Sequence, residues 1–474
     1  MERNTLAKEM SYKDFFFLAF GIYAGVAWVV TLGLWLQHGP LSSFLGFFLC
    51  GLILIPVGMA YGELTPAIPV AGGELAYAYK AFGPFAATIT GWFLGLAYII
   101  VCPFEAIAVS TVISYMIPSI NIIPLYTVKG FTIYLPSMII GILLTLLFTW
   151  MNYVGIKPSK VFQTVCSAIV LILVVLFFIA SLFKGSTQNL QPLFAEPGTK
   201  GALSGILSVL AVAPFFLAGF DAIPQASEEA EKNLNPKALG QVIIVAIIVG
   251  ILFYVITTAA ATLVAPWQEV IKDPLPTAYA FEVAFGKGMR NIILFGALLG
   301  LLTTWNGCFI AGTRVIFALG RGRLIPKIFG EVHEKYKTPH NAVLFGGLIT
   351  LIGPFVGKAG LIPAVDVGAL AFIVAWLSVS LSVIKLRKTA PELNRPYKMP
   401  GGTTMGIIAV VVCIILLGLI LIPGMPAALV WPTEWIVLGI WIILGLAFYY
   451  IVTVKEQHSI TKEEQDYYIL GEYR

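Results

Sequence analysis

Long apolar runs separated by short polar stretches set the pattern of this chain, and their length decides its class. Twelve runs are candidates to cross a hydrocarbon core about 30 Å thick as helices. They are Phe15–Leu36, Leu41–Gly62, Phe85–Tyr115, Tyr134–Tyr153, Val161–Phe183, Leu203–Ala226, Ala238–Ala265, Ile292–Gly320, Ala342–Val356, Val367–Ile384, Gly406–Ile422 and Thr433–Val452. The third is too long for an upright span, so it is expected to tilt or to carry an extramembrane turn. The longest polar stretches, Lys184–Gly201, Gly322–His340 and Lys385–Gly402, are loop-sized, so no soluble domain interrupts the runs. The first run follows Arg3, Lys8 and Lys13 with no A-x-A pattern, and it reads as a retained span rather than a leader.

Composition excludes a water-soluble chain. Of 474 residues, 59% are apolar and 11% charged, and the mean hydropathy is +0.92. Soluble domains carry about 25% charged residues. Charge matters here through its placement. With twelve spans both ends lie on one side, and 22 of the 29 Lys and Arg residues fall there. The seven on the other side are Lys129, Lys184, Lys200, Lys272, Lys287, Arg290 and Lys358. The positive-inside rule then makes both termini cytoplasmic in a multi-pass protein of the cell membrane. The basic loops after the eighth and tenth runs suit anionic lipid headgroups, and no nucleic-acid partner is expected. The five cysteines sit inside apolar runs without metal-ligand spacing, and the four histidines lie at or beyond run ends. No metal, cofactor or nucleophile–base constellation of an enzyme is expected from them. No charged ring or filter-like loop suggests a channel.

Two runs carry breaks in matching places. The first contains Gly21-Ile22-Tyr23-Ala24-Gly25-Val26-Ala27-Trp28, and the sixth contains Pro214-Phe215-Phe216-Leu217-Ala218-Gly219-Phe220-Asp221. Pro214 removes a helix donor and Gly219 relaxes the backbone. Irregular backbone at bilayer depth is tolerated where it lines a cavity. A matched pair of interrupted helices points to an inverted-repeat transporter with a central site. The fold class expected is therefore an all-α polytopic membrane protein with a 5+5 inverted repeat. Residues 1–14 form an N-terminal segment, 15–200 the first repeat, 201–400 the second, 401–454 helices 11 and 12, and 455–474 a tail.

Four ordered motifs carry a family resemblance. Pro69-Val-Ala-Gly-Gly-Glu74-Leu-Ala-Tyr77-Ala-Tyr79-Lys-Ala-Phe-Gly83 resembles the helix 2–3 signature of amino acid–polyamine–organocation permeases. Gly219-Phe220-Asp221-Ala222 with Glu228-Glu229 and Asn235-Pro236 is similar to their helix 6 signature. Asn306, Arg314, Ala318-Leu-Gly-Arg321, Leu324-Ile-Pro326 and Thr338-Pro339 resemble their helix 8–9 region, and Gly25-Val26-Ala27 stands where many members have a Gly-x-Gly break. The resemblance implies a leucine-transporter-type fold that binds amino acids or amines between helices 1, 3, 6, 8 and 10. It implies that the amides of Gly25, Val26 and Ala27 hold a substrate carboxylate, with carbonyls near Tyr23, Ala24 and Ala218 facing an ammonium group. Ala27 and Val26 depart from the usual glycine and serine, which narrows the pocket or retunes it. Phe215 falls on the aromatic that lids the site in relatives, with Phe216 the competing candidate.

An acid at bilayer depth is a functional hypothesis, because a charge at a helix centre costs about 2.5–3.5 kcal/mol on insertion scales. Asp221 is a candidate for proton coupling, against capping the second half-helix or pairing with Arg314. Matching Gly91-Trp92 to helix 3 of the family it resembles implies that Glu105 faces the cavity, where it pairs with a cationic substrate group, carries a proton, or bonds helices 8 or 10. Glu63, Glu74, Glu228 and Glu229 fall at cytoplasmic helix ends, suited to solvated faces or inner-gate ion pairs. Proton-coupled relatives often carry a lysine in helix 5, and the matching position here is near Val170. Coupling is therefore left open between protons on Asp221 or Glu105, sodium at the Thr303 and Thr304 hydroxyls, and none, as in an exchanger. The function expected is a secondary transporter of amino acids or small amines by alternating access. The alternatives are a sodium symporter and a substrate-sensing receptor on a transporter fold. The partners expected are that small molecule, H+ or Na+, and the bilayer, with the oligomeric state open.

Overall fold

A peptide group in hydrocarbon has no water to bond, so long apolar runs close their hydrogen bonds internally as helices. The structure, a computed structural model, describes residues 6–25, 27–425, 428–455 and 460–473. The first span is split: α1 (Tyr12–Tyr23) ends in a bend, a π-helical turn follows at Ala27–Thr31, and α2 (Leu32–Leu36) completes it. Next come α3 (Pro40–Ala67), a connector α4 (Gly73–Phe82), α5 (Pro84–Ile99) and α6 (Val101–Met116). An antiparallel hairpin of β1 (Pro124–Val128) and β2 (Phe131–Tyr134) precedes α7 (Leu135–Val154), α8 (Ile156–Lys184) and α9 (Gly198–Phe216). The chain continues through α10 (Ala222–Gln225), α11 (Pro236–Val264), α12 (Trp267–Val270), α13 (Pro276–Phe285) and α14 (Lys287–Arg321). It closes with α15 (His340–Thr350), α16 (Ile352–Val356), α17 (Leu361–Thr389), α18 (Gly402–Leu421), α19 (Thr433–Tyr450) and α20 (Lys462–Leu470).

Among the described residues, 11 helices are long and apolar enough to cross a membrane. The ninth run forms a shorter apolar helix, His340–Val356, in two pieces. The long third run, expected to tilt or to carry an extramembrane turn, divides between α5 and α6 at Ile100. Pro103 has no N–H for the Ile99 carbonyl, which accounts for the break. The hairpin and α20 lie in stretches where only loop and tail are expected from hydropathy.

Burial sorts the spans into an inner and an outer set. The first, third, eighth and tenth are 72–76% buried over their apolar windows, whereas α7, α8 and α19 are 17–28% buried. Outer helices turn large apolar side chains outward, among them Leu143, Trp150, Ile172, Ile415 and Ile443. Such a surface suits lipid rather than water. The inner spans, the first interrupted run among them, therefore frame the interior of the bundle, whereas the apolar window of α9 is 33% buried.

One end of the bundle is basic and sealed. Arg314 Nε donates to Glu229 Oε1 at 2.8 Å, with both side chains almost wholly buried. Arg321 donates to both Glu228 oxygens at 2.8 and 2.7 Å, and Glu63 pairs with Arg387 and Arg395. The N-terminal segment joins this end as a short parallel bridge, Met10 N donating to Glu229 O at 2.8 Å. The tail helix α20 begins with a Thr461–Glu464 capping box. It accepts from Tyr79 Oη at Asp466 (2.6 Å), donates from Gln465 to Gly322 O (3.0 Å), and buries Ile469 against Gly322.

Removing one partner of a buried ion pair strands the other, at about 3–5 kcal/mol, whereas removing both together costs much less. Arg314→Met should therefore lower the thermal midpoint of the detergent-solubilised protein strongly. The double variant Arg314→Met/Glu229→Leu should recover most of the loss.

Candidate functional site

The site grows from the carbonyls that the first span leaves behind where it stops being helical. Each of these oxygens needs a donor, and neighbouring helices supply hydroxyls. Thr304 Oγ1 donates to Gly21 O (2.8 Å) and Ile22 O (3.1 Å), Thr303 Oγ1 to Gly21 O (3.2 Å), and Tyr254 Oη to Tyr23 O (2.8 Å). The Ala24 carbonyl turns toward α14, where a methyl group added at Gly300 would lie 2.0 Å from it. Glycine at 300 thus lets the unwound strand lie against α14.

Beside this break lies a cavity of about 30 Å³. A water needs about 10–15 Å³ on this measure, so the cavity holds a water or two but no amino acid. Of the residues singled out in the sequence, Tyr23, Gly25, Ala27, Glu105, Phe215, Phe216, Ala218 and Thr304 line it. Ala24, Gly219, Asp221 and Thr303 do not, and Val26 lies outside the described residues. The rest of the wall is apolar or aromatic: Ile22, Val101, Phe104 and Phe372, with Cys308 and Tyr254. Sequence reasoning missed these six, because one apolar residue in a membrane span looks like another.

Glu105 is the acid of this cavity. It is buried, and its Oε2 has no hydrogen-bond partner. A methyl group added at Gly25 would lie 3.4 Å from Glu105 Oε1 and 2.8 Å from Thr304 Oγ1. The carboxyl therefore faces the unwound strand itself.

Asp221 lies just below the cavity, in the interruption between α9 and α10. Its Oδ1 accepts from Gly219 N (2.8 Å) and its Oδ2 from Trp376 Nε1 (2.9 Å). It pairs with no arginine: Arg314 is held by Glu229. Gly219 takes φ 153°, a backbone setting that strains any side chain, and closes on Ala19 O. The expected sodium hydroxyls, Thr303 and Thr304, donate to the carbonyls of Gly21 and Ile22. Val170 is buried and apolar; of the polar groups of α8, Gln163 and Ser167 face Gly21, while Lys160 and Thr164 reach Asp14 at the start of α1. Gln163 accepts from Asn306 Nδ2 at 2.9 Å, while its own Nε2 points at Gly21 without a partner.

A second, wider cavity of about 630 Å³ opens beyond the first on the side away from the basic end, reaching Gln37, His38, Asp366 and Gly424. Phe104 and Phe216 line both cavities. Phe216 packs against Trp35 (centroids 5.2 Å) and Phe215 (5.4 Å), and Phe215 leans on Gly368 of α17. The narrow cavity is thus divided from the wide one by Phe216 and Phe104, while Phe215 walls it toward α17.

Comparison with known proteins adds to this geometry. Residues 10–448 match the family model described as amino acid permease. The chain is 29% identical over 463 residues to the branched-chain amino acid permease BcaP of Bacillus subtilis, covering 95% of this chain and 94% of the relative. It is 27% identical over 467 residues to the methylthioribose transporter of the same organism, covering 96% and 95%. It is 24% identical over 444 residues to the aromatic amino acid transport protein AroP of Escherichia coli K12, covering 89% and 90%.

Overpacking a tight backbone contact costs about 1–3 kcal/mol or more. Gly300→Ala should push the unwound strand off α14, lowering the thermal midpoint and removing ligand-induced stabilisation. Gly439→Ala, in α19 with nothing within 4 Å of the added methyl, should leave both unchanged. Thermal-shift measurements on the two variants check this.

Proposed function

This chain belongs to the amino acid permease family, and from that premise we propose that it is a secondary transporter of neutral amino acids with apolar side chains, working by alternating access and coupled to protons. It is a permease rather than an enzyme. The proposal includes twelve spans in a 5+5 inverted repeat, with His340–Val356 as the ninth, and cytoplasmic termini in the cell membrane. The sealed basic end is then the cytoplasmic side, and the 630 Å³ cavity is an outer vestibule. The apolar wall of the small cavity favours an aliphatic or aromatic side chain, as the names of the branched-chain and aromatic relatives suggest.

The observation that carries the coupling is the position of Glu105 opposite Gly25. A substrate carboxylate held by the amides at the break would lie against the Glu105 carboxyl. Two negative charges a few ångströms apart in a dry cavity repel strongly. The substrate carboxylate therefore enters when Glu105 carries a proton, and proton and substrate load together. Asp221, bonded within the second break, is the companion coupling residue. Phe216 has to move for the substrate to enter, because it stands between vestibule and site and the cavity as it stands is too small.

The second reading is a cationic substrate, favoured by the unpartnered Glu105 oxygen. Sodium coupling would use the oxygen lone pairs of Thr303 and Thr304, whose protons bond the first span. A receptor on this fold would bind without exchanging.

Proteoliposomes loaded with a panel of amino acids and amines separate these readings. For the proton-coupled reading, affinity for a neutral amino acid should fall by up to about tenfold per pH unit once Glu105 begins to ionise. Glu105→Gln should keep binding and counterflow but lose that pH dependence and the ability to concentrate substrate against a gradient. Loss of cationic substrates alone, with neutral ones spared, would favour the second reading. Binding without counterflow would favour a receptor.

A further inference from the structure

Glu63, Glu74, Glu228 and Glu229 lie buried near the basic end, and three of them meet arginine. Glu74, among the described residues, meets no cation within ion-pair distance. It is fully buried in the first turn of α4. That turn is wedged in place: a methyl group at Gly73 would lie 2.5 Å from Pro224 Cβ, and one at Gly72 would lie 2.3 Å from Ala318 Cβ. Glu74 Oε2 accepts a short hydrogen bond from Gln225 Nε2, and Oε1 has no partner. The same Gln225 amide donates to Asp221 O at 3.1 Å, so one side chain ties Glu74 to the second break.

The groups around Glu74 offer it hydrogen bonds but, among the described residues, no cation within ion-pair distance. α3 presents the Tyr61 hydroxyl, α4 its own Tyr77, α5 Tyr98, and the segment before α10 the Asp221 carboxylate. On the α14 side Arg314 is engaged by Glu229, α17 presents Trp376, already bonded to Asp221, and from α20 Asp466 is bonded to Tyr79. A carboxylate taken out of water without a cation is strongly disfavoured. Burial, and after it the charge of Asp221, pushes the Glu74 carboxyl up to about 8.

We propose that Glu74 is the proton latch of the cytoplasmic gate: protonated while α4 is packed against α10 and α14, and ionised when the gate opens and water reaches it. This rests on the reading above that the basic end is the one that opens to the cytoplasm. The sign follows from linkage. The closed form holds its proton to a higher pH than the open, hydrated form, so acid stabilises closure. Raising cytoplasmic pH from the ordinary carboxyl range toward about 8 favours opening, and above that the dependence stops. The Arg-paired glutamates close the same gate, but their ion pairs need no proton.

The test reads gate opening directly. Cys308 lines the small cavity and is buried in the closed form. In full-length protein with the other four cysteines replaced, a membrane-impermeant maleimide on the cytoplasmic side of oriented proteoliposomes reports access to Cys308. Rates are divided by those of a denatured control to remove the thiol's own pH dependence. For the native Glu74 the corrected rate should rise by up to about tenfold per pH unit between about pH 6 and 8. Glu74→Gln, permanently neutral, should be flat and slow across that range. Glu74→Asp should restore a pH dependence and shows that the fold tolerates substitution. A pH dependence that persists in Glu74→Gln, or is absent with Glu74 in place, overturns the proposal. No substrate is needed, so this result stands apart from the transport reading, which counterflow tests.

Discussion

The structure depends on one exchange: backbone carbonyls given up by the first span are taken over by side-chain hydroxyls of its neighbours. In hydrocarbon an unpaired carbonyl costs several kcal/mol, so a broken helix survives only where such partners are fixed in place. Thr303, Thr304 and Tyr254 supply them, two from α14 and one from α11. Gly300 removes the side chain that would otherwise hold α14 away. The break is therefore a joint made by three helices, and two of the side chains that make it, Thr304 and Tyr254, also line the cavity beside it. The same bonds fix the Thr303 and Thr304 hydroxyls against the first span as donors, which leaves their oxygen lone pairs able to accept.

Electrostatics divides the buried acids into two groups with different work. Glu63, Glu228 and Glu229 face arginine and act as fastenings at the basic end. Glu74, Glu105 and Asp221 have no cation within ion-pair distance among the described residues, and each lies at a different level between that end and the wide cavity. Glu105 faces the unwound strand, Asp221 is bonded inside the second interruption, and Glu74 is joined to it through Gln225. A group of the first kind resists opening through attraction, largely whatever the pH near neutrality. Of the second kind, Glu74, on the latch proposed above, resists it only while it holds a proton. A gate built from both is strong and still able to answer to pH.

Much of this was legible in the sequence, for physical reasons that also mark where legibility stops. Apolar runs have to become helices in a bilayer, so the spans could be read from length alone. The Gly-rich stretch around Gly25 and Pro214 with Gly219 announced the two interruptions, because these residues weaken helix backbone by known routes. Glu105 stood out because an acid inside an apolar run is costly. Partners were not legible: that Arg314 meets Glu229 rather than Asp221 depends on how α14 packs against the loop after α10. Phe372 and Tyr254 join the cavity wall from spans whose composition offers dozens of equivalent choices. The tail helix went unread because its signal is a capping box at Thr461 and two buried residues, Ile469 and Leu470, too short for a hydropathy argument.

The two ends of the bundle differ in a way that follows from these parts. At the basic end the closing contacts are polar, specific and multiple: four arginine-based pairs, the bridge at Met10, and α20 bonded to both Tyr79 and Gly322. Away from it the barrier over the small cavity is made of aromatic rings, chiefly Phe216 and Phe104, with a wide cavity beyond. Aromatic contacts have no direction as strict as a bidentate ion pair, so a ring can swing aside at modest cost while the fastened end stays shut. A guest arriving from the wide side therefore meets the weaker barrier first. On the function proposed above, a substrate carboxylate against the unwound strand would change the charge balance around Glu105, and through it that of Asp221 and Glu74, which Gln225 joins.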